Sequence, residues 1–97
     1  MSDKELILQK LTAIKPLLAK QYHVSSLALF GSIARDEQTQ KSDIDLLVDF
    51  STTPDLLQFI ELEEKLKKEL GMDVDLVPRR KLRSELHQQI EIEKIAI

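Results

Sequence analysis

Residues 31 to 45 read Gly-Ser-Ile-Ala-Arg-Asp-Glu-Gln-Thr-Gln-Lys-Ser-Asp-Ile-Asp. Gly31 lets a backbone come close to a phosphate, while Ser32 and the first amides of a following helix can donate hydrogen bonds to its oxygens. Asp43 and Asp45, spaced i, i+2 at the start of an apolar strand, project from one face and can share a divalent cation that takes hard oxygen ligands. Two carboxylates so placed repel unless a cation neutralises them or one turns to solvent. A third carboxylate on a neighbouring strand completes a site for two ions ~3.5 to 4 Å apart. Asp75, set between apolar Val74 and Leu76, is the candidate for it, with Asp73 in reserve. A two-ion site suits in-line displacement at phosphorus without a histidine base, so the reaction class these residues fit is nucleotidyl transfer. Positioning and electrostatics would supply most of the acceleration.

Each piece alone is weak. Asp-x-Asp arises by chance, and Gly-Ser is commoner as an ordinary turn and N-cap than as a phosphate loop. The strand-turn-helix context, Asp43 eleven positions beyond Ser32, and a later aspartate inside an apolar run together make the pattern specific. Arg35 falls one turn after Ser32 and could meet a phosphate or orient an aspartate; a solvent-facing arginine is the competing reading. Ser42 reads as a loop serine that could cap the strand entrance, Asp49 as structural or solvated, and Asp36 and Glu37 as loop charges. The run from Glu61 to Glu69 pairs its charges at i, i+3 and i, i+4 and is a solvated helix face. Arg79, Arg80, Lys81 and Arg83 are denser and could meet triphosphate, RNA or an acidic partner, although solvated charge competes. His23 and His87 have no second ligand near them in sequence and read as surface or boundary residues.

The elements that must position these groups follow from periodicity. Residues 3 to 20 carry Leu6, Ile7, Leu11, Ile14, Leu17 and Leu18 at helical spacing, with Pro16 expected to kink or restart the helix. Val24 to Phe30 predicts a buried strand, with Ser32 as N-cap of a helix through about Glu37 and a polar loop over 38–42. Asp43 to Phe50 alternates as a strand whose Ile44, Leu46, Val48 and Phe50 enter the core. From Pro54 to Leu70 an apolar stripe that includes Leu56, Leu57, Phe59 and Ile60 predicts a helix, capped at its end by Gly71. Met72 to Val77 reads as a third strand closed by Pro78. Lys81 to about Glu93 reads as an amphipathic helix, with Ile92, Ile95 and Ile97 left near the end, where exposure would make them a contact surface.

A chain of 97 residues predicts one domain over 1–97, since a core this small cannot be divided. With 42% apolar and 4% aromatic residues, the core rests on Leu, Ile and Val. No run approaches a membrane span and Met-Ser-Asp-Lys-Glu is no secretory signal, so a cytoplasmic location is expected. With no cysteine, a metal must be held by carboxylates, carbonyls or histidine, and Mg2+ or Mn2+ fits best. A net charge of -3 argues against autonomous binding of long nucleic acid and leaves proteins and small phosphates as partners.

Gly31-Ser32-Ile33-Ala34-Arg35, Ser42-Asp43-Ile44-Asp45-Leu46-Leu47-Val48 and Val74-Asp75-Leu76-Val77 together resemble the DNA polymerase β-type nucleotidyltransferase superfamily, in its minimal nucleotidyltransferase family. The resemblance runs from about Leu6 to Ile95. It implies an α+β nucleotidyltransferase fold, a small mixed sheet of three or four strands with helices packed against it. It also implies Gly31 and Ser32 on nucleotide phosphate and Asp43, Asp45 and Asp75 on two Mg2+ ions. Many members are antitoxins encoded beside a HEPN-domain ribonuclease toxin, which implies transfer of AMP from ATP to a toxin tyrosine. Two other functions compete: an antitoxin that neutralises by binding alone, and a transferase acting on a small molecule such as an aminoglycoside. The lack of an acceptor-binding domain disfavours the latter and makes a stable complex with a partner protein the expectation.

Overall fold

The computed structural model describes residues 3–37 and 43–97. Helix α1 spans Asp3–Tyr22, strand β1 Val24–Phe30, the short helix α2 Gly31–Ala34 and strand β2 Ile44–Phe50. Helix α3 (Leu56–Leu70) and strand β3 (Val74–Pro78) follow, then a 3-10 turn (Arg79–Lys81), helix α4 (Ser84–Glu93) and strand β4 (Ile95–Ala96). The strands form one mixed sheet ordered β3-β2-β1-β4, in which β1 is antiparallel to β2 and β4, and β2 is parallel to β3. The parallel pair exists because α3 carries the chain back across the sheet; a tight turn could not.

Two apolar layers sandwich the sheet. Leu11 and Leu18 of α1 and Leu62 and Leu66 of α3 pack on Leu29, Ile44, Leu46 and Val48, all essentially inaccessible to solvent. On the other face Ile90 of α4 packs on Ala28 and Leu47 beside Phe30, Val77 and Leu82. In β1 a bulge between Val24 and Ser26 lets Val24 point into the same core as Leu27 and Leu29, because one extra residue resets the alternation.

Several local expectations are corrected. Helix α1 runs through Pro16 without restarting. Packing of Leu11 and Leu18 on either side of Pro16 outweighs the one main-chain hydrogen bond a proline forfeits. Helix α2 ends at Ala34, and Phe30 rather than Ser32 occupies its N-cap position; Ser32 lies inside the turn, its carbonyl accepting the Glu37 N–H at 2.8 Å. Helix α3 is capped by Asp55, whose carboxylate accepts the Gln58 N–H at 2.8 Å in a reciprocal capping box, so Pro54 lies just outside. Gly71 does end it, left-handed at φ 68°. Leu56, Leu57 and Ile60 leave the predicted core stripe and are 75%, 67% and 44% exposed. Residues 79–81 form a separate 3-10 turn before α4. Ile95 and Ile97 pack against the core, Ile95 opposite Leu29 in β4, whereas Ile92 is 80% exposed. No described helix is long and apolar enough to cross a membrane.

Candidate active site

The strand register puts two aspartates side by side. In the parallel β2–β3 ladder Asp45 is the direct partner of Asp75, while Ile44 pairs with Val74 and Leu46 with Leu76, so both carboxylates leave the same face of adjacent strands about 4.8 Å apart. Val74 and Leu76 are buried on the opposite face and anchor Asp75 in that orientation. Asp43 is exposed one step before β2, at the level of Asp73, which precedes β3 and accepts the Ile44 N–H on its carbonyl at 2.9 Å. Asp75 is therefore the carboxylate that faces Asp45 across the ladder.

Asp45 is half-buried, and its proton affinity is raised above the ordinary carboxylate value by desolvation first, then by the negative charges of Asp75 and Asp43. Arg35 opposes this weakly. Among the described residues no three His, Cys, Asp or Glu side chains are gathered around one point as a metal-binding cluster. The donors available are carboxylate oxygens short of positive charge, a set that suits a hard divalent cation.

Gly31 closes the site from the antiparallel side. Phe30 pairs with Asp45 in the β1–β2 ladder, so the chain turns into α2 directly over that carboxylate. Gly31 has φ 77°, and a β-carbon added there would lie 2.1 Å from Asp45 Oδ2 and 2.9 Å from its Cγ. Only glycine combines the left-handed backbone with this approach. Sequence reasoning assigned Gly31 to phosphate; its packing on Asp45 required the register and had no local signal.

Arg35 stands at the edge of the site, where it donates from Nε to Glu37 at 3.0 Å and from Nη1 to Glu93 of α4 at 3.1 Å. These bonds, Glu37 before Glu93, raise its proton affinity further, so it is a fixed cation. Arg79 of the basic run pairs with Glu91 at 2.8 Å, and Arg80 donates to the Thr53 hydroxyl at 3.4 Å. The Asp49 carboxylate accepts its neighbour's Phe50 N–H at 3.0 Å, His23 is an exposed linker after α1, and His87 Nε2 lies 3.2 Å from the Leu82 carbonyl oxygen. Ser42 and the loop over 38–42 lie outside the described residues.

This fold and site define a class that the comparisons bear out. A family model described as a nucleotidyltransferase domain matches residues 11–97. A Methanocaldococcus jannaschii protein named among the protein adenylyltransferases is 59% identical over 63 residues, 65% of this chain and 64% of that relative. The match thus takes in slightly under two thirds of that relative's length. The protein adenylyltransferase MntA of Thermococcus cleftensis is 49% identical over 74 residues, 76% of this chain and 75% of its own length. A solved minimal nucleotidyltransferase structure superposes with a TM-score of 0.82 at 34% identity, covering 100% of this chain and 97% of the other. A toxin-antitoxin structure with AMP-PNP gives 0.72 at 34% identity, over 88% of this chain and 69% of that one. The structure of a tri-AMPylated Shewanella oneidensis HEPN toxin in complex with MNT antitoxin gives 0.66 at 30% identity, over 96% and 70%. The chain belongs to the nucleotidyltransferase domain family, in its minimal, MntA-type branch.

Proposed function

We propose that this protein is an antitoxin that transfers AMP from ATP to a tyrosine hydroxyl of a cognate HEPN ribonuclease toxin and so silences it. The observation that carries the reading is the Asp45–Asp75 register pair directly beneath the glycine turn. It is supported by relatives named protein adenylyltransferases, by a neighbour that holds AMP-PNP, and by another in which the partner toxin is AMPylated.

In this reading the turn at Gly31 and Ser32 receives the terminal phosphates of ATP, leaving the α-phosphorus over the carboxylate face. The tyrosine oxygen forms a bond to that phosphorus, the bond to the bridging oxygen breaks, and pyrophosphate leaves with the electron pair. The phenolic proton passes to solvent or to an ionised carboxylate of this face. Arg35 meets phosphate charge from the site's edge, in exchange for or beside Glu37 and Glu93. Asp43, Asp45 and Asp75 are the residues that would hold Mg2+, or Mn2+ in its place. Two such ions, when bound, supply the positive charge that this trio lacks, activate the attacking hydroxyl and neutralise charge on the phosphates.

The test is transfer of label from α-labelled ATP to the toxin encoded beside this chain, in magnesium and in chelator. Magnesium-dependent transfer that Asp45→Ala and Ser32→Ala each abolish is the expected result. Transfer surviving in both variants overturns the site assignment. Neutralisation of the toxin by Asp43→Ala/Asp45→Ala, with no label on it, would establish instead an antitoxin that acts by binding alone.

A further inference from the structure

The turn after β1 is held from two sides by side chains of other elements. Asp36, left-handed at φ 58°, presents its carboxylate to Lys4 of α1 at 3.1 Å. The turn also closes on itself, the Arg35 N–H donating to the Gly31 carbonyl at 3.2 Å and the Glu37 N–H to the Ser32 carbonyl at 2.8 Å. With the backbone fixed in this way, the part of the turn that can change partner is the Arg35 side chain, which is 39% exposed. It lies close enough to Asp45 to oppose the rise in that residue's proton affinity.

Arg35 faces two carboxylates at once, Glu37 at Nε and Glu93 at Nη1. One positive charge against two negative ones leaves the cluster net negative, beside a face that already carries Asp43, Asp45 and Asp75. A triphosphate arriving at this edge therefore meets no net positive field until a carboxylate gives way. A guanidinium grips phosphate best through a fork of two parallel N–H groups, Nε with Nη2 or Nη1 with Nη2. Each fork has one nitrogen engaged. Glu37 belongs to the same turn and can stay on Nε as the side chain moves. Glu93 is anchored on α4, and it closes the outer fork, the one that reaches furthest from the backbone.

The position of Glu93 is unfavourable to its own helix. The last turn of α4 contains Glu91 and Glu93 and no basic residue, and a carboxylate at a helix C-terminus is opposed by the helix dipole. Glu91 has Arg79 at 2.8 Å and Lys94 at 2.6 Å to offset this. Among the described residues the cation of Glu93 is Arg35, with Gln89 donating to its other oxygen at 3.4 Å. We infer that Glu93 is a positioning residue for the nucleotide site: it holds the outer fork of Arg35 in the empty protein and yields it to a bound triphosphate. Occupancy of the turn and the seating of the last turn of α4 are then coupled, and the coupling is reciprocal. A triphosphate that takes Arg35 loosens the end of α4, and removal of the Glu93 charge strengthens the hold on triphosphate. The inference rests on the transfer reading for the identity of the ligand and adds to it a residue of α4 that sets the affinity.

Calorimetry of the full chain with Mg2+ and AMP-PNP compares the wild type with the isosteric Glu93→Gln variant. Binding by Glu93→Gln should be about two- to fivefold tighter, the size of one partly exposed ion pair that no longer competes. The same change made on top of Arg35→Gln should have no effect. Hydrogen exchange supplies a second readout at the Lys94 amide, which donates to the Ile90 carbonyl at 2.8 Å and closes α4. AMP-PNP should speed its exchange in the wild type and leave it unaltered in Glu93→Gln. Unchanged or weaker binding by Glu93→Gln overturns the inference, as does exchange at Lys94 that ignores nucleotide in the wild type. Tightening of equal size in the Arg35→Gln background also overturns it, since bulk charge would then be the cause. In each of these cases the transfer reading stands, because the wild type still binds nucleotide. A wild-type protein that takes up no nucleotide at millimolar concentration removes that reading and this inference together.

Discussion

Replacing Gly31 by alanine tests the central contact of the site. Two costs add. At φ 77° an L side chain sits in the left-handed region, which costs about 1 to 2 kcal/mol. The new β-carbon would then stand 2.1 Å from Asp45 Oδ2, 2.9 Å from Cγ and 3.1 Å from Cβ, so rotating the carboxylate away does not suffice and the strand itself must give. Overpacking of that kind costs a further ~1 to 3 kcal/mol. Gly71 is the matched control: its φ is 68°, nothing lies within 4 Å of an added β-carbon, and only the backbone cost applies. Thermal unfolding in chelator should therefore show Gly31→Ala less stable than Gly71→Ala by about 1 to 3 kcal/mol. That is at least 4 °C of melting temperature in a domain of this size, at about 4 to 8 °C per kcal/mol. Asp45→Ala removes the two nearest atoms, so in that background the Gly31→Ala cost should fall toward the Gly71→Ala value, a coupling of neighbours measurable by a double-mutant cycle. Equal costs of Gly31→Ala with and without the Asp45 carboxylate would refute the reasoning. If the proposed reaction is followed alongside, a displaced Asp45 should lower transfer by about 10²-fold, the penalty of roughly 1 Å of misplacement.

The raised proton affinity of Asp45 gives a pH prediction. A carboxyl that holds its proton more tightly folded than unfolded stabilises the fold fully below its unfolded value near 3.8, and that stability is lost as pH rises through the folded value. In chelator, Asp45→Asn should therefore be more stable than the parent at pH 7, with the difference vanishing below about pH 4; denaturant unfolding at both pH values checks this, and an isosteric variant that is less stable at pH 7 contradicts it. His23 has φ 58° between α1 and β1, a conformation where glycine is preferred, so His23→Gly should raise stability by about 0.5 to 1 kcal/mol in the same assay.

Much of this was legible in the sequence, for identifiable reasons. Val24–Phe30 has the bounds its apolar run predicts, because a buried strand ended by a glycine carries its own punctuation. The motif residues Gly31, Asp45 and Asp75 meet on the carboxylate side of the sheet since period-two alternation fixes the face on which each aspartate leaves its strand. What escaped was non-local. Strand β4 is two residues long and exists only because Ala28 and Leu29 offer an edge to Ile95 and Ala96, which no periodicity within the segment announces. Phe30 takes the N-cap position in place of Ser32 because the strand continues unbroken into the turn. The exposure of Leu56, Leu57 and Ile60 is a matter of how few neighbours surround the start of α3, and helical spacing reports a face without saying what covers it.

The parallel pairing of β2 with β3 has a consequence for how this molecule can vary. The interval between Asp45 and Asp75 is held by a backbone ladder, not by the segments joining the two strands. The turns on either side of α3 can change length, with the surplus absorbed there, and the acids remain abreast. A single residue added between Val74 and Asp75 does the opposite: it reverses every side chain beyond it and buries an acid where Leu76 now packs. Tolerance and intolerance to insertion are thus separated by only a few positions of chain.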